Sequence, residues 1–140
     1  MRPLAALLLL AAAGCDTGAA LDPYAGVIEV SLADATVEGA ALRLVAVEDA
    51  SCADPLVTSF AKGAATRAVS VEGIDRPEAG SCMALIPPMA VVPLELGPEL
   101  PGGYAVEVAH AGAVDLYTLD ASGPEAVLTA VRTTTTRLAE

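Results

Sequence analysis

The 140-residue chain has no tryptophan, one phenylalanine, three tyrosines and a single histidine, and its 7 basic residues are outnumbered by 18 acidic ones. Each shortage excludes something. Aromatic residues at 3% cannot build a platform on which successive bases stack. A formal net charge of −11 repels a phosphate backbone, so no nucleic-acid partner is expected. One histidine cannot make a His-Glu-x-x-His zinc site, and no Gly-x-Ser-x-Gly elbow, Gly-rich phosphate cradle or dinucleotide fingerprint is present. What is abundant is apolar: 54% of the residues are hydrophobic, which excludes a disordered acidic tail, and the length suits one domain.

Part of that apolar content is not fold. Met1-Arg2-Pro3 is a short basic start, residues 4–13 are an unbroken Leu/Ala-rich run, and small residues lead into Cys15, which is the three-part pattern of a secretory signal. Ten apolar residues at about 1.5 Å rise reach only about 15 Å, half of a bilayer's hydrocarbon core, so a signal fits better than a span. The sequence Ala12-Ala13-Gly14-Cys15 resembles the lipobox of bacterial lipoproteins, with Ala12 where that family most often has Leu. The resemblance implies cleavage before Cys15, a diacylglyceryl group on its sulfur and acylation of its new amino group. Two or more acyl chains, at about 0.8 kcal/mol per buried CH₂, anchor a protein stably.

The expected organisation is therefore a cleaved signal peptide (1–14), a lipidated Cys15 with a flexible tether (15–23) spanning roughly 15 Å, and a folded domain (24–140). Cleavage removes Arg2 and no acid, taking the net charge from −11 to −12. The expected location is the bacterial cell envelope, with the domain facing the periplasm or the exterior and the membrane engaged only through lipid.

Beyond the tether the dominant period is two. In residues 27–32, Ile28, Val30 and Leu32 share one face, while Glu29 and Ser31 share the other. Similar runs recur at 41–48, 67–72, 81–86, 90–96, 104–109, 114–119 and 126–133, separated by Gly- and Pro-rich turns. Eight short strands, within one, and no helix long enough for a parallel crossover predict an all-β fold, a single antiparallel β-sandwich of about 7–8 strands. Pro93 marks its strand as an edge or a broken pair. Residues 54–63 read either way: Asp54-Pro55 resembles a helix start and Lys62-Gly63 a stop, but Val57, Thr58 and Ser59 are mediocre helix formers and the run also alternates.

With Cys15 given to lipid, Cys52 and Cys82 are natural partners in an oxidising compartment. Closing a loop of about 30 residues restricts the unfolded chain by on the order of 3–4 kcal/mol. The alternative is two free buried thiols; a redox pair would need Cys-x-x-Cys, which is absent.

A second resemblance lies at Leu100-Pro101-Gly102-Gly103-Tyr104-Ala105-Val106-Glu107-Val108, which is similar to the Pro-x-Gly-x-Tyr-x-Val-x-Val start of a late strand in bacterial immunoglobulin-like and transthyretin-like sandwiches. It implies an architecture, with Tyr104, Val106 and Val108 facing inward, and carries no activity.

Few residues are equipped for chemistry. His110 precedes Ala111-Gly112 and reads as a satisfied or exposed histidine at a strand end. Glu48-Asp49 with Asp54, and Asp75 with Glu78, are the tight acidic groups, and they read as solvated turns before they read as calcium ligands. Met83, Met89 and His110 offer soft copper ligands, but methionine more often fills a core. No catalytic, metal or cofactor-binding residue is assigned and no cofactor is expected. The leading expectation is a noncatalytic structural or binding module with a protein or glycan partner. The rival is a small envelope enzyme or metal-binding protein whose acidic site spacing does not reveal.

Overall fold

A computed structural model describes residues 20–49, 54–76, 85–97 and 103–140. Cys15, Cys52, Cys82, Met83 and Glu78 lie outside the described residues, as do the start of the expected strand at 81–86 and the turn at 98–102.

The described residues form nine strands: β1 (Ile28–Asp34), β2 (Ala41–Ala46), β3 (Leu56–Lys62), β4 (Thr66–Ile74), β5 (Met89–Pro93), β6 (Gly103–His110), β7 (Ala113–Asp120), β8 (Val127–Arg132) and β9 (Thr136–Leu138). They make a four-stranded sheet in the order β5-β2-β1-β9 and a five-stranded sheet in the order β3-β4-β6-β7-β8. The expected all-β sandwich is the observed architecture. Most neighbours are antiparallel, but β1–β9 and β4–β6 are parallel. Both exceptions arise where the chain changes sheets. After β4 it adds β5 to the other sheet and returns to start β6 in β4's direction, and β9 reaches β1 by crossing from β8.

Strand alternation builds the core. Ile28, Val30, Leu42, Leu44, Ala46, Val92 and Leu94 from one side meet Val69, Tyr104, Val106, Val108, Tyr117 and Leu119 from the other, all buried. Burying each Val, Leu or Ile side chain contributes about 1.5–3 kcal/mol. Tyr104, Val106 and Val108 do share the inward face.

Residues 54–63 resolve as strand. β3 pairs antiparallel with β4 along its length, and Pro55 bridges Met89 of β5, so the Asp54-Pro55 pair closes one side of the sandwich and caps no helix. Pro93 ends β5, an edge strand, as its missing donor requires. Met89 is 39% exposed on that strand and so is not core filling.

Two inward positions carry charge. Arg67 of β4, 2% exposed, donates from Nε to Leu94 O (2.6 Å), from Nη1 to Gly63 O (2.8 Å) and Thr66 O (2.9 Å), and from Nη2 to Glu95 O (3.0 Å). Its guanidinium also lies 4.8 Å from the centre of the Tyr104 ring. Glu95 has φ 49°, a left-handed conformation that costs a non-glycine residue, and the bond to its carbonyl helps hold it there. Asp115 of β7, fully buried, lies towards the other end of the sandwich. That end, which bears His110, is the upper end; the turns at 35–40, 63–65 and 121–124 form the lower end.

Candidate functional site

The upper end gathers the polar side chains singled out by the sequence. β6 and β7 are joined by Ala111 and Gly112, with φ 48° and 79°, the paired left-handed conformations of a tight hairpin turn. Alternation along β6 then turns His110 inward, 3% exposed, and the segment preceding β1 lies over it. His110 Nε2 is 2.8 Å from Gly26 O, and its ring stacks on Tyr24 with centroids 5.7 Å apart. Because a carbonyl can only accept, Nε2 holds a proton there and cannot take one from a substrate. Tyr24 Oη donates to Val27 O (3.1 Å) and accepts from Glu48 N (3.3 Å), while Glu48 accepts from Val27 N (3.3 Å). A Cβ on Gly26 would run into the Tyr24 ring and the Glu48 carboxylate, so a larger residue there would have to displace those two side chains. Burial pushes the Tyr24 hydroxyl above its ordinary range, with Glu48 and Asp49 nearby reinforcing the shift.

Beside this stack, Arg76 converges on three acids. Nε donates to Asp22 (2.5 Å), Nη2 to Asp49 (2.5 Å) and Nη1 to Asp54 (3.3 Å). These bonds, to Asp22 first and Asp49 second, raise the guanidinium's affinity for its proton. Asp49 and Asp54, grouped by the sequence, do come together, with the Arg76 guanidinium as their common partner. Asp22, which the sequence assigns to the tether, also exchanges two backbone hydrogen bonds with Ile74 (2.9 and 2.8 Å). Asp75 does not join the cluster through any described bond of its side chain; its N–H donates to Pro55 O (3.1 Å). Among the described residues no group of three His, Cys, Asp or Glu is arranged to hold a metal ion.

Asp115 is the feature that sequence reasoning missed. Its Oδ1 accepts from Thr134 N (2.8 Å), and its Oδ2 from Thr135 N (2.9 Å), Thr136 N (2.6 Å) and Thr136 Oγ1 (2.7 Å). Since Thr136 spends its proton on Asp115, the Tyr117 hydroxyl donates to Thr136 Oγ1. Burial alone would push the Asp115 carboxyl up, but the Thr136 hydroxyl and the three N–H groups outweigh it and hold the carboxyl below its usual range. Burial raises Tyr117. The signal was available in the alternation, since Asp115 falls in phase with Tyr117 and Leu119.

One further pairing, which sequence reasoning also passed over, has the spacing of a catalytic motif. Ser59 and Lys62 form Ser-x-x-Lys, which brings serine and lysine together on a helix. On strand β3 the odd offset sends them to opposite faces: Ser59 Oγ donates to Glu72 (2.7 Å), and Lys62 lies 3.9 Å from Glu95. A shallow cavity of about 190 Å³ on the outer face of the five-stranded sheet is lined by Ser59, Ala61, Ala68, Ser70, Glu107 and Val114, mostly small side chains. It falls below the roughly 300–1,000 Å³ of a typical small-molecule site.

Every buried side-chain nitrogen and oxygen among the described residues has a hydrogen-bond partner. The upper end is thus a set of closed polar contacts that fasten the N-terminal segment and the β8–β9 crossing onto the sandwich. No protein-family model, curated protein or solved structure matches the chain.

Proposed function

We propose that this chain is a bacterial lipoprotein, held on a membrane through lipid on Cys15, whose sandwich serves as a noncatalytic structural or binding module of the cell envelope. The observation that carries the reading is the leader ending in Ala12-Ala13-Gly14-Cys15. The commitment of His110 to Gly26 and Tyr24 supports the noncatalytic part, since the chain has no other imidazole.

Asp22 is fixed to Ile74 only seven positions after Cys15, and seven residues reach at most about 25 Å, so lipid on Cys15 would keep this end of the domain beside the membrane. The upper end then faces the bilayer and the lower turns face away from it. Asp22, Asp49 and Asp54 outnumber the Arg76 guanidinium they share, with Glu48 close by, so this part of the upper end is acidic and would stand off from anionic headgroups. A protein or glycan partner would meet the lower turns.

Labelling cells with an alkyne palmitate analogue tests the anchor: the wild-type chain becomes tagged and Cys15→Ala does not. An untagged wild type defeats the reading. The companion expectation, a Cys52–Cys82 bridge, is checked by intact mass after alkylation, where neither thiol reacts until reductant is added. Alkylation of both without reductant removes it.

A further inference from the structure

Exposed apolar side chains are concentrated in one place. Of the seven large hydrophobic residues exposed among the described residues, four lie close together in the chain: Leu85 (68%), Ile86 (42%), Met89 (39%) and Val91 (51%). They belong to residues 79–94, the longest uncharged stretch in a sequence that otherwise scatters 7 basic and 18 acidic side chains along its length. An apolar patch left in water on an acidic protein marks a surface that meets something.

The sheet register locates this patch. Met89 pairs with Val45 and Pro93 with Ala41, so β5 is entered from the upper end and residues 85–88 form part of the rim there. Pro55 bridges Met89, the next residue Leu56 pairs with Ile74, and Ile74 exchanges backbone bonds with Asp22. The apolar rim and the point where the N-terminal segment joins the sandwich are therefore about three strand spacings apart, roughly 15 Å. Asp22 is in turn seven positions from Cys15, a reach of at most about 25 Å. Lipid on Cys15 thus brings the rim to the bilayer surface.

The rim is also built to leave water cheaply. Pro87 and Pro88 have no N–H to strand, and the Pro88 carbonyl already accepts from Ala46 N (2.9 Å). Two residues further from the tip, Val91 pairs with the exposed Arg43, which puts a cation at the level of headgroup phosphates when the tip is submerged.

We propose that this rim is a second membrane contact, in which Leu85 and Ile86, backed by Met89, enter the headgroup–acyl boundary of the bilayer that carries the Cys15 lipid. The inference rests on the anchoring reading and deepens it: the lipid retains the chain, and the rim fixes its tilt so that the lower turns point outward. A few side chains bind a membrane weakly by themselves, and the short tether supplies the local concentration that makes such a contact persist. The acids around Arg76 lie near the rim, so zwitterionic headgroups suit it better than anionic ones. A protein partner would have to fit between the rim and a bilayer held close to it.

The absence of tryptophan supplies the test, because one introduced tryptophan is a lone reporter. The full lipid-bearing chain, purified from membranes, is placed in phosphatidylcholine vesicles with or without bromine on the acyl chains. Leu85→Trp should shift its emission to the blue on vesicles and be quenched by the brominated lipid. Val127→Trp, an exposed position opposite Asp120 at the lower end, should do neither. Adding Ile86→Asp to Leu85→Trp should reduce the quenching while the chain still floats with the vesicles. Both substituted rim positions are exposed, so the core is left intact. Flotation of the wild type separates the two readings. If the wild type does not float, the anchor fails and the rim contact falls with it. If it floats but tryptophan at 85 is unquenched, is quenched no more than at 127, or ignores Ile86→Asp, the rim contact alone is overturned. Emission at 85 that is already blue without vesicles and reddens on dilution would assign the rim to a second copy of the chain and also overturn the proposal.

Discussion

At the lower end of the sandwich a buried cation, Arg67, is wrapped in carbonyl oxygens, and at the upper end a buried anion, Asp115, is wrapped in N–H and hydroxyl groups. Neither has an opposite charge beside it among the bonds described. Each sits on an inward position of the five-stranded sheet and holds a segment that joins the two sheets: residues 94–95 after β5 for Arg67, and residues 134–136 between β8 and β9 for Asp115. Irregular backbone at a sheet crossing has polar groups with no ladder partner, and leaving them unpaired in a dry interior is costly. One charged side chain with several bonding sites satisfies a whole crossing at once. The two solutions differ in one respect. Asp115 is a carboxylate, whose charge acid can remove, and its donors hold that carboxyl below its usual range.

The largest test of that comparison is Asp115→Ala, which strands three N–H groups and the Thr136 hydroxyl and should lower stability by about 3–5 kcal/mol in urea unfolding. Arg67→Met keeps the length and packing of the side chain and leaves only acceptors unpaired, so about 2 kcal/mol is expected from the same measurement. A larger loss for Arg67→Met than for Asp115→Ala would break the claim that stranded donors dominate.

Acid titration sharpens the contrast. Asp115 has a lower pKa folded than unfolded, so its contribution is complete above the ordinary carboxylate range and is lost as pH falls through its lowered value. The wild type should lose stability in that acid window, and Asp115→Asn should lose less of it there, while Arg67→Met should keep the wild-type slope. The smallest effect belongs to Arg76. Its pairs with Asp22 and Asp49 are partly exposed, so Arg76→Gln should shift the unfolding midpoint only slightly, and the difference from wild type should shrink in high salt.

Much of the sandwich was legible because alternation reports which face a residue occupies. Ile28, Val30, Tyr104, Val106 and Val108 lie inward as their spacing requires, and Pro93 sits on an edge because it lacks a donor. β9 was not legible: Thr136-Arg137-Leu138 is too short to show a period, and it is a strand because Asp115 fixes Thr136 next to β1. β3 was ambiguous because its helix-like ends and strand-like middle carried equal local weight, and pairing with β4 decided it. At the upper end the sequence grouped Asp49 with Asp54 and left His110 either satisfied or exposed; the structure buries it against Gly26 and Tyr24. It could not foresee that Arg76, more than twenty residues from either acid, closes the cluster, because such a contact depends on the sheet order and not on spacing.

The parallel pairing of β1 with β9 also closes a long loop. Ile28 N–H bonds to Thr135 O, and Ala139 N–H bonds to Val30 O, so segments more than a hundred positions apart become neighbours. Until they meet, β1 has a bare edge, the Asp115 carboxylate lacks the donors of residues 134–136, and the four-stranded sheet is one strand short. Contacts of such large separation form slowly, so the four-stranded sheet is completed late in refolding.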